Sequence, residues 1–182
     1  MQPKLSNQQL CWGVLGCFGG LFIHLVIGSL YQWGIINIYI TSYYKLSDEN
    51  VNLEDNAIAF PAMMICIGLT MRFGLWLCEL THPLFVMALN VLLQAASIFI
   101  SSYLPNMGTF IVMYGVVFGL VSGLQFMIPI VECNKYLPGR KMYVNGVILI
   151  GTGLGSLVFG LFSYNFLNPD KEEPLEGYYY GN

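Results

Sequence analysis

The sequence predicts an all-α integral membrane protein that crosses the bilayer five times. Hydrophobic residues make up 56% of the 182-residue chain and charged residues 9%, whereas a soluble domain carries roughly 25% charged residues. The charges are also widely separated, because Asp, Glu, Lys and Arg are missing from residues 5–44, 56–71, 80–131 and 142–169. An ionised side chain at the bilayer centre costs about 2.5–3.5 kcal/mol on insertion scales. Charge-free stretches of this length therefore mark the membrane spans.

Five spans fit these stretches, since about 20 apolar residues cross a bilayer. The longest stretch holds two spans, which the turn-forming residues 105–108 separate. We expect the spans at residues 10–39, 57–77, 84–103, 109–130 and 143–166. The first is too long for a straight crossing, because a helix of about 30 residues extends some 45 Å and the hydrocarbon core is about 30 Å thick. It must tilt, bend or project into water.

The basic residues predict the orientation, because Lys and Arg in short loops stay on the cytoplasmic side. Lys4 precedes the first span, and three basic residues lie between the fourth and fifth spans: Lys135, Arg140 and Lys141. The acidic segments after the first and fifth spans then lie on the opposite side. We therefore expect a cytoplasmic segment at residues 1–9, a transmembrane domain at residues 10–166 and a non-cytoplasmic tail at residues 167–182.

Glycine spacing predicts which helix faces pack together. Lipid gives helices no hydrophobic reason to associate, and small residues four apart let two backbones approach for van der Waals contact. Three spans carry such spacings: Gly16 and Gly20 on the first, Gly115, Gly119 and Gly123 on the fourth, and Gly151 and Gly155 on the fifth. The alternative is that glycine is simply common in membrane helices.

The sequence carries no motif for catalysis, metal binding or nucleic-acid binding. Its five cysteines lie mostly in apolar runs and lack metal-ligand spacing. A formal net charge of −3 offers no basic face for nucleic acid. Phosphate-binding loops, nucleophile elbows and zinc-protease motifs are also missing from the sequence. We expect a protein that is not an enzyme and that uses no cofactor, metal or nucleic acid.

Two stretches resemble the oxalate/formate antiporter group of the major facilitator superfamily, a group similar to monocarboxylate transporters. Residues 28–34 match its Gly-x-x-Tyr-x-Trp pattern in the first span. Residues 114–155 match its fourth span, its basic loop and its glycine-rich fifth span. The resemblance implies the first five of the twelve helices of such a transporter. It also implies transport of a small organic anion of the carboxylate class by alternating access.

Five helices cannot form both walls of a rocking cavity. The resemblance therefore implies three kinds of partner: the lipid bilayer, a small-molecule anion, and a second transporter half or another membrane chain. The alternative function is that of a non-transporting membrane scaffold, or of a subunit in a larger membrane complex derived from such a transporter.

Four residues are candidates for binding the substrate: His24, Tyr31, Gln125 and Phe126. His24, Gly28 and Tyr31 are spaced i, i+4 and i+7, so they share a helix face on the first span. The resemblance gives a substrate-facing role to Tyr31 and to Phe126, whose family counterpart is a tyrosine. Gln125 beside Phe126 can restore some polarity. The structural alternative is that His24 bonds a neighbouring carbonyl and that Tyr31 packs on a partner helix.

Among the charged residues, Arg72 has the highest free-energy cost of insertion into the membrane, because it lies within the second span. Glu79 follows seven residues later, and Glu132 ends the fourth span at a similar depth. We therefore consider two roles for Arg72. One is structural, as an ion pair with an acidic residue or a local water defect, and the other is in substrate or proton handling.

Overall fold

The computed structural model describes residues 6–167, and this part of the chain contains helices and turns but no strand. It includes five helical segments that are long and apolar enough to cross a membrane, called spans 1 to 5 below: Asn7–Lys45, Ala59–Leu80, Pro83–Ser101, Met107–Tyr136 and Lys141–Leu167. A short helix, Leu53–Ala57, precedes span 2. The predicted all-α membrane fold is therefore confirmed. Lys4 and the predicted tail beyond Leu167 lie outside the described residues.

Local sequence explains where several spans begin. The Ser6 hydroxyl accepts a hydrogen bond from the backbone N–H of Gln9, and the Gln9 side chain accepts one from the N–H of Ser6. This capping box starts span 1. Span 3 begins at Pro83, where the missing N–H costs no helical hydrogen bond. Between spans 4 and 5 the chain turns at Gly139, whose φ of 84° suits glycine.

Span 1 extends beyond both ends of the predicted residues 10–39 and contains 39 residues. A regular α-helix of that length would extend roughly 58 Å. Its winding changes near the middle, where Ser29–Gln32 form a 3₁₀ turn between the α-helices Asn7–Gly28 and Trp33–Lys45. A 3₁₀ stretch inside a long helix often marks a hinge.

Span 4 is also irregular and ends later than predicted, at Tyr136. Ile111–Val117 form a π-helical segment, and the helix is interrupted at Met127. Pro129 accounts for the interruption, since it has no N–H to donate to the carbonyl of Gln125. Spans 1 and 4 therefore both depart from α-helical winding inside the membrane.

Spans 1 and 5 pack with their backbones in contact. A Cβ added to Gly155 would overlap the carbonyl oxygen of Leu25, and one added to Gly151 would overlap the carbonyl oxygen of Leu21. On the same interface, a Cβ at Gly28 would overlap the carbonyl oxygen of Thr152. These glycines therefore set the distance between the two helices.

Span 4 packs on spans 1 and 2 through the remaining predicted glycines. Gly115, Gly119 and Gly123 lie against the span 2 residues Ala59, Met63 and Ile67. A Cβ at Gly119 would come within 2.8 Å of the Met63 carbonyl oxygen. On span 1, a Cβ at Gly16 would lie 3.0 Å from the Cys133 Sγ, and one at Gly20 would lie 2.9 Å from the Pro129 Cβ. The glycine contacts thus join neighbouring spans in the order span 5, span 1, span 4 and span 2.

An aromatic stack joins the irregular parts of spans 1 and 4. Trp33, which follows the 3₁₀ turn, lies 5.3 Å from Tyr114 between ring centroids and 6.2 Å from Phe110. Tyr114 continues the stack to Phe118 at 5.6 Å. All four side chains are buried. The stack therefore couples the 3₁₀ turn of span 1 to the π-helical segment of span 4.

The proposed orientation predicts a labelling pattern. In a cysteine-free background, single cysteines at Asn52 and Gly177 should react with an impermeant maleimide added outside intact cells. A cysteine at Gly139 should react only after the membrane is permeabilised, because the basic loop is retained inside. Labelling at Gly139 without labelling at Asn52 would reverse the orientation.

Candidate functional site

His24 and Phe126 meet in the membrane-spanning part of the chain, where span 1 contacts span 4. The ring centroids are 4.9 Å apart and the ring planes are inclined by 60°. His24 is fully buried, and its Nδ1 donates to the carbonyl of Gly20, four residues earlier, at 3.1 Å. Its Nε2 has no hydrogen-bond partner among the described residues. The imidazole is thus fixed by its own helix and keeps one nitrogen available for a proton or a ligand.

Tyr31 lies apart from this pair. It belongs to the 3₁₀ turn, and its ring centroid is 6.0 Å from that of Phe60 on span 2. Its side chain is 49% exposed, whereas His24 is 0% exposed. His24 and Tyr31 share a helix face by their spacing in sequence, but in the structure their side chains contact different neighbours. Tyr31 presents an accessible phenol, and His24 presents a buried imidazole.

Gln125 belongs to a polar network between spans 3 and 4. Its side chain is fully buried, and its Nε2 donates to the Oε1 of Gln94. Gln94 in turn donates to the Ser122 hydroxyl at 3.0 Å. The amide of Gln125 is therefore engaged with span 3, although its neighbour Phe126 lies against span 1. We did not predict Gln94 from the sequence.

A stripe of polar residues on span 3 could have revealed this network. The buried polar residues of that helix are spaced by three or four positions, as Asn90, Gln94, Ser97 and Ser101. Buried polar groups need hydrogen-bond partners, and this spacing places all four on one helix face. That stripe predicts a polar contact with a neighbouring span, which the structure places at Ser122 and Gln125.

Removing Gln94 should destabilise the bundle more than removing the whole amide pair. In the Gln94→Leu variant, the buried Gln125 amide would lose its partner, and an unsatisfied buried polar group costs about 1–3 kcal/mol. Gln94→Leu combined with Gln125→Leu should recover most of the loss, because both amides are then replaced by apolar groups. Detergent-titrated unfolding of the single and double variants measures this. If the stability lost in the double variant equalled the sum of the losses in Gln94→Leu and Gln125→Leu, the pairing would be contradicted.

The structure gives the three charged candidates different surroundings within residues 6–167. Glu132 binds Lys135, three residues later on span 4. Arg72 is exposed on span 2 and makes no ion pair or hydrogen bond within residues 6–167. Glu79 is also exposed and, seven residues away on the helix, lies about 10 Å along the axis. Among residues 6–167, Arg72 therefore forms no ion pair with Glu79 or Glu132, and its role stays a prediction.

The described residues offer no metal-binding cluster. No three His, Cys, Asp or Glu side chains of residues 6–167 converge on a point. The cysteines in this range carry free thiols, and Cys17 and Cys133 are buried together in an apolar cluster.

The fold and its burial pattern define the class of protein: a multi-pass integral membrane protein with a candidate site between spans 1 and 4. Its outward faces are largely apolar, as a lipid environment requires.

Two curated proteins are similar to this chain. One is apicoplast pyruvate carrier 1 of Toxoplasma gondii, 25% identical over 202 aligned positions that cover 92% of this chain and 37% of the carrier. The other is the uncharacterized MFS-type transporter YhjX of Escherichia coli K12, 24% identical over 169 positions that cover 87% of this chain and 38% of the transporter. This chain thus spans little more than a third of either relative. No protein-family model and no solved structure matches it.

Proposed function

We propose that the chain forms the N-terminal portion of a transporter that moves a small organic anion of the carboxylate class by alternating access. The observation that carries the proposal is the contact of His24 with Phe126 between spans 1 and 4. It occurs in a chain that aligns over 92% of its length with a pyruvate carrier. The finer assignment, to the oxalate/formate antiporter-like group, belongs to the same proposal.

The candidate residues have the chemistry that a carboxylate needs. The half-exposed phenol of Tyr31 can donate a hydrogen bond to a carboxylate oxygen. The unpartnered Nε2 of His24 can do so when the imidazole is protonated. Since His24 is fully buried and the ring of Phe126 lies against it, a ligand reaches that nitrogen only after neighbouring side chains move apart. His24 is therefore used in one conformation and closed off in another.

The irregular helices support alternating access. Transporter sites commonly lie near the membrane midplane, where helices are interrupted. Here the 3₁₀ turn of span 1 contains Tyr31, and the interruption of span 4 at Met127 follows Phe126 directly. Both candidate aromatic residues thus lie where the backbone departs from regular α-helical winding. Movement at these points would change whether a substrate can reach the site from a given side of the membrane.

A chimaera tests the function. Residues 1–182 replace the aligned segment of the Toxoplasma carrier, and the purified chimaera is reconstituted into liposomes. We expect saturable uptake of radiolabelled pyruvate and no saturable uptake of radiolabelled glycerol, a neutral solute. The carrier remainder without this chain is the control and should be inactive.

The same experiment addresses the alternative function. If the chimaera inserts and folds but shows no saturable uptake of pyruvate, of oxalate or of formate, the transport proposal fails. A membrane scaffold or a subunit of a larger complex would then account better for the glycine-mediated helix contacts.

A further inference from the structure

Arg72 lies at a depth where an unpaired charge is costly. It is eight residues before the end of span 2 at Leu80, which corresponds to about 12 Å along the helix axis. Helical side chains tilt toward the N-terminus of their helix. That tilt directs the guanidinium away from the nearer membrane surface. The charged group therefore does not easily reach water by extending along the helix.

The surface around Arg72 forms a groove on the outward side of span 2. The groove has a volume of about 350 Å³ and is lined by Arg72, Phe73, Leu75, Trp76 and Glu79, and we call it the Arg72 groove. Phe73 is 59% exposed and Trp76 is 54% exposed. The opposite side of span 2 is already occupied, because Gly74 packs on the backbone of Leu124 in span 4. The groove therefore faces away from the described bundle.

Charge determines what can fill the Arg72 groove. Exposure of an unpaired arginine to lipid at this depth is costly. A second copy of this chain with the same topology would bring span 2 alongside span 2 in parallel. Arg72 would then face Arg72, and Glu79 would face Glu79, so like charges would repel. A helix of different sequence with an acidic side chain at the depth of Arg72 would pair the charge instead.

We propose that the Arg72 groove is a docking surface within the membrane for a different transmembrane helix, which places an Asp or Glu side chain against Arg72. Arginine and tryptophan are the residue types that most often dominate the energy of an interface. The indole of Trp76 and the ring of Phe73 supply apolar contact on either side of the ion pair. The proposal is independent of transport, since a transporter half and a scaffold partner would both supply such a helix.

Photochemical cross-linking tests the docking surface. Trp76 is replaced by a photoreactive benzoylphenylalanine in the full chain, expressed in the membranes of its own cell. We expect a cross-link to a transmembrane peptide that is not part of this chain and carries Asp or Glu within one helical turn of the attachment point; a cross-link to span 2 of a second copy would overturn the proposal. Leu92, which is 68% exposed on span 3, is the control position and should give lipid adducts.

Two substitutions of Arg72 separate the ion pair from simple apolar contact. Arg72→Leu raises the hydropathy of span 2 and should still insert, but it should reduce the Trp76 cross-link at least fivefold. Arg72→Lys keeps the positive charge and should retain most of it. Lipid adducts alone at Trp76, a cross-linked helix without an acidic residue, or an unchanged cross-link in Arg72→Leu would each overturn the proposal. Loss of uptake by the chimaera would leave it standing.

Discussion

Gly155→Ala is expected to destabilise the folded chain by about 2 kcal/mol or more, in the upper part of the range for overpacking. The new Cβ would overlap the carbonyl oxygen of Leu25. Both groups are attached to helix backbones, so neither can rotate away as a flexible side chain would. Spans 1 and 5 would have to separate along their length. Unfolding in a detergent titration, followed by the fluorescence of the three tryptophans, measures the loss.

Gly153→Ala is the matched control for this prediction. It lies two residues away on span 5, and a Cβ there would meet no atom within 4 Å. Because alanine favours helix more than glycine does, this variant should be as stable as the parent or slightly more stable. Equal unfolding curves for the two variants would show that the contact between spans 1 and 5 does not exist in the membrane protein.

Phe126→Ala and Tyr31→Ala are each expected to reduce pyruvate uptake by the chimaera at least tenfold. Phe126→Ala removes the ring that closes off His24, and Tyr31→Ala removes the accessible phenol. Neither change alters the hydrophobic length of a span, so insertion into the membrane should be normal. The initial rate of uptake, divided by the amount of inserted protein, measures the effect.

Tyr103→Ala provides the control for the aromatic substitutions. Tyr103 is 73% exposed and lies just beyond the end of span 3. Its removal should leave uptake within about a factor of two of the parent. Normal uptake in both Phe126→Ala and Tyr31→Ala would end the assignment of the site to these residues.

The membrane spans could be predicted from the sequence because the bilayer imposes a constraint along one dimension. A run of residues without charge must be long enough to cross, and every backbone group within it must be paired inside a helix. The break at residues 105–108 was likewise visible, and Asn106 caps span 4 by accepting from the N–H of Thr109. Glycine spacing was similarly informative, since close approach of two helices excludes a side chain.

The candidate site could be predicted only in part, because it depends on which helices are neighbours. Gln125 and Phe126 are adjacent in sequence, but successive helical residues point in directions about 100° apart. One side chain therefore reaches span 3 and the other reaches span 1. The partner of each depends on the three-dimensional order of the spans. The π-helical segment Ile111–Val117 has no proline or other sequence signal that would have predicted it.

Arg72 shows a second limit of prediction from sequence. Its position within a span marks an unusual residue, but the two acids considered as partners do not pair with it within residues 6–167. Glu79 lies two helical turns further along the same span without pairing with Arg72, and Glu132 pairs with Lys135. A partner from outside the described residues cannot be identified by patterns within them. The Arg72 groove is the surface at which we propose that such a partner binds.

The central claim is that spans 1 and 4 form one wall of an anion cavity, and protection of a cysteine by substrate tests it most directly. Gly34→Cys, one helical turn after Tyr31 and with open space around an added Cβ, is made in a cysteine-free chimaera that keeps Tyr31 and is labelled with a maleimide, with and without saturating pyruvate. The account predicts that pyruvate slows labelling at position 34 severalfold and leaves a cysteine at Asn52 unaffected. Equal labelling rates at position 34 with and without pyruvate, in a chimaera that transports it, would contradict the claim.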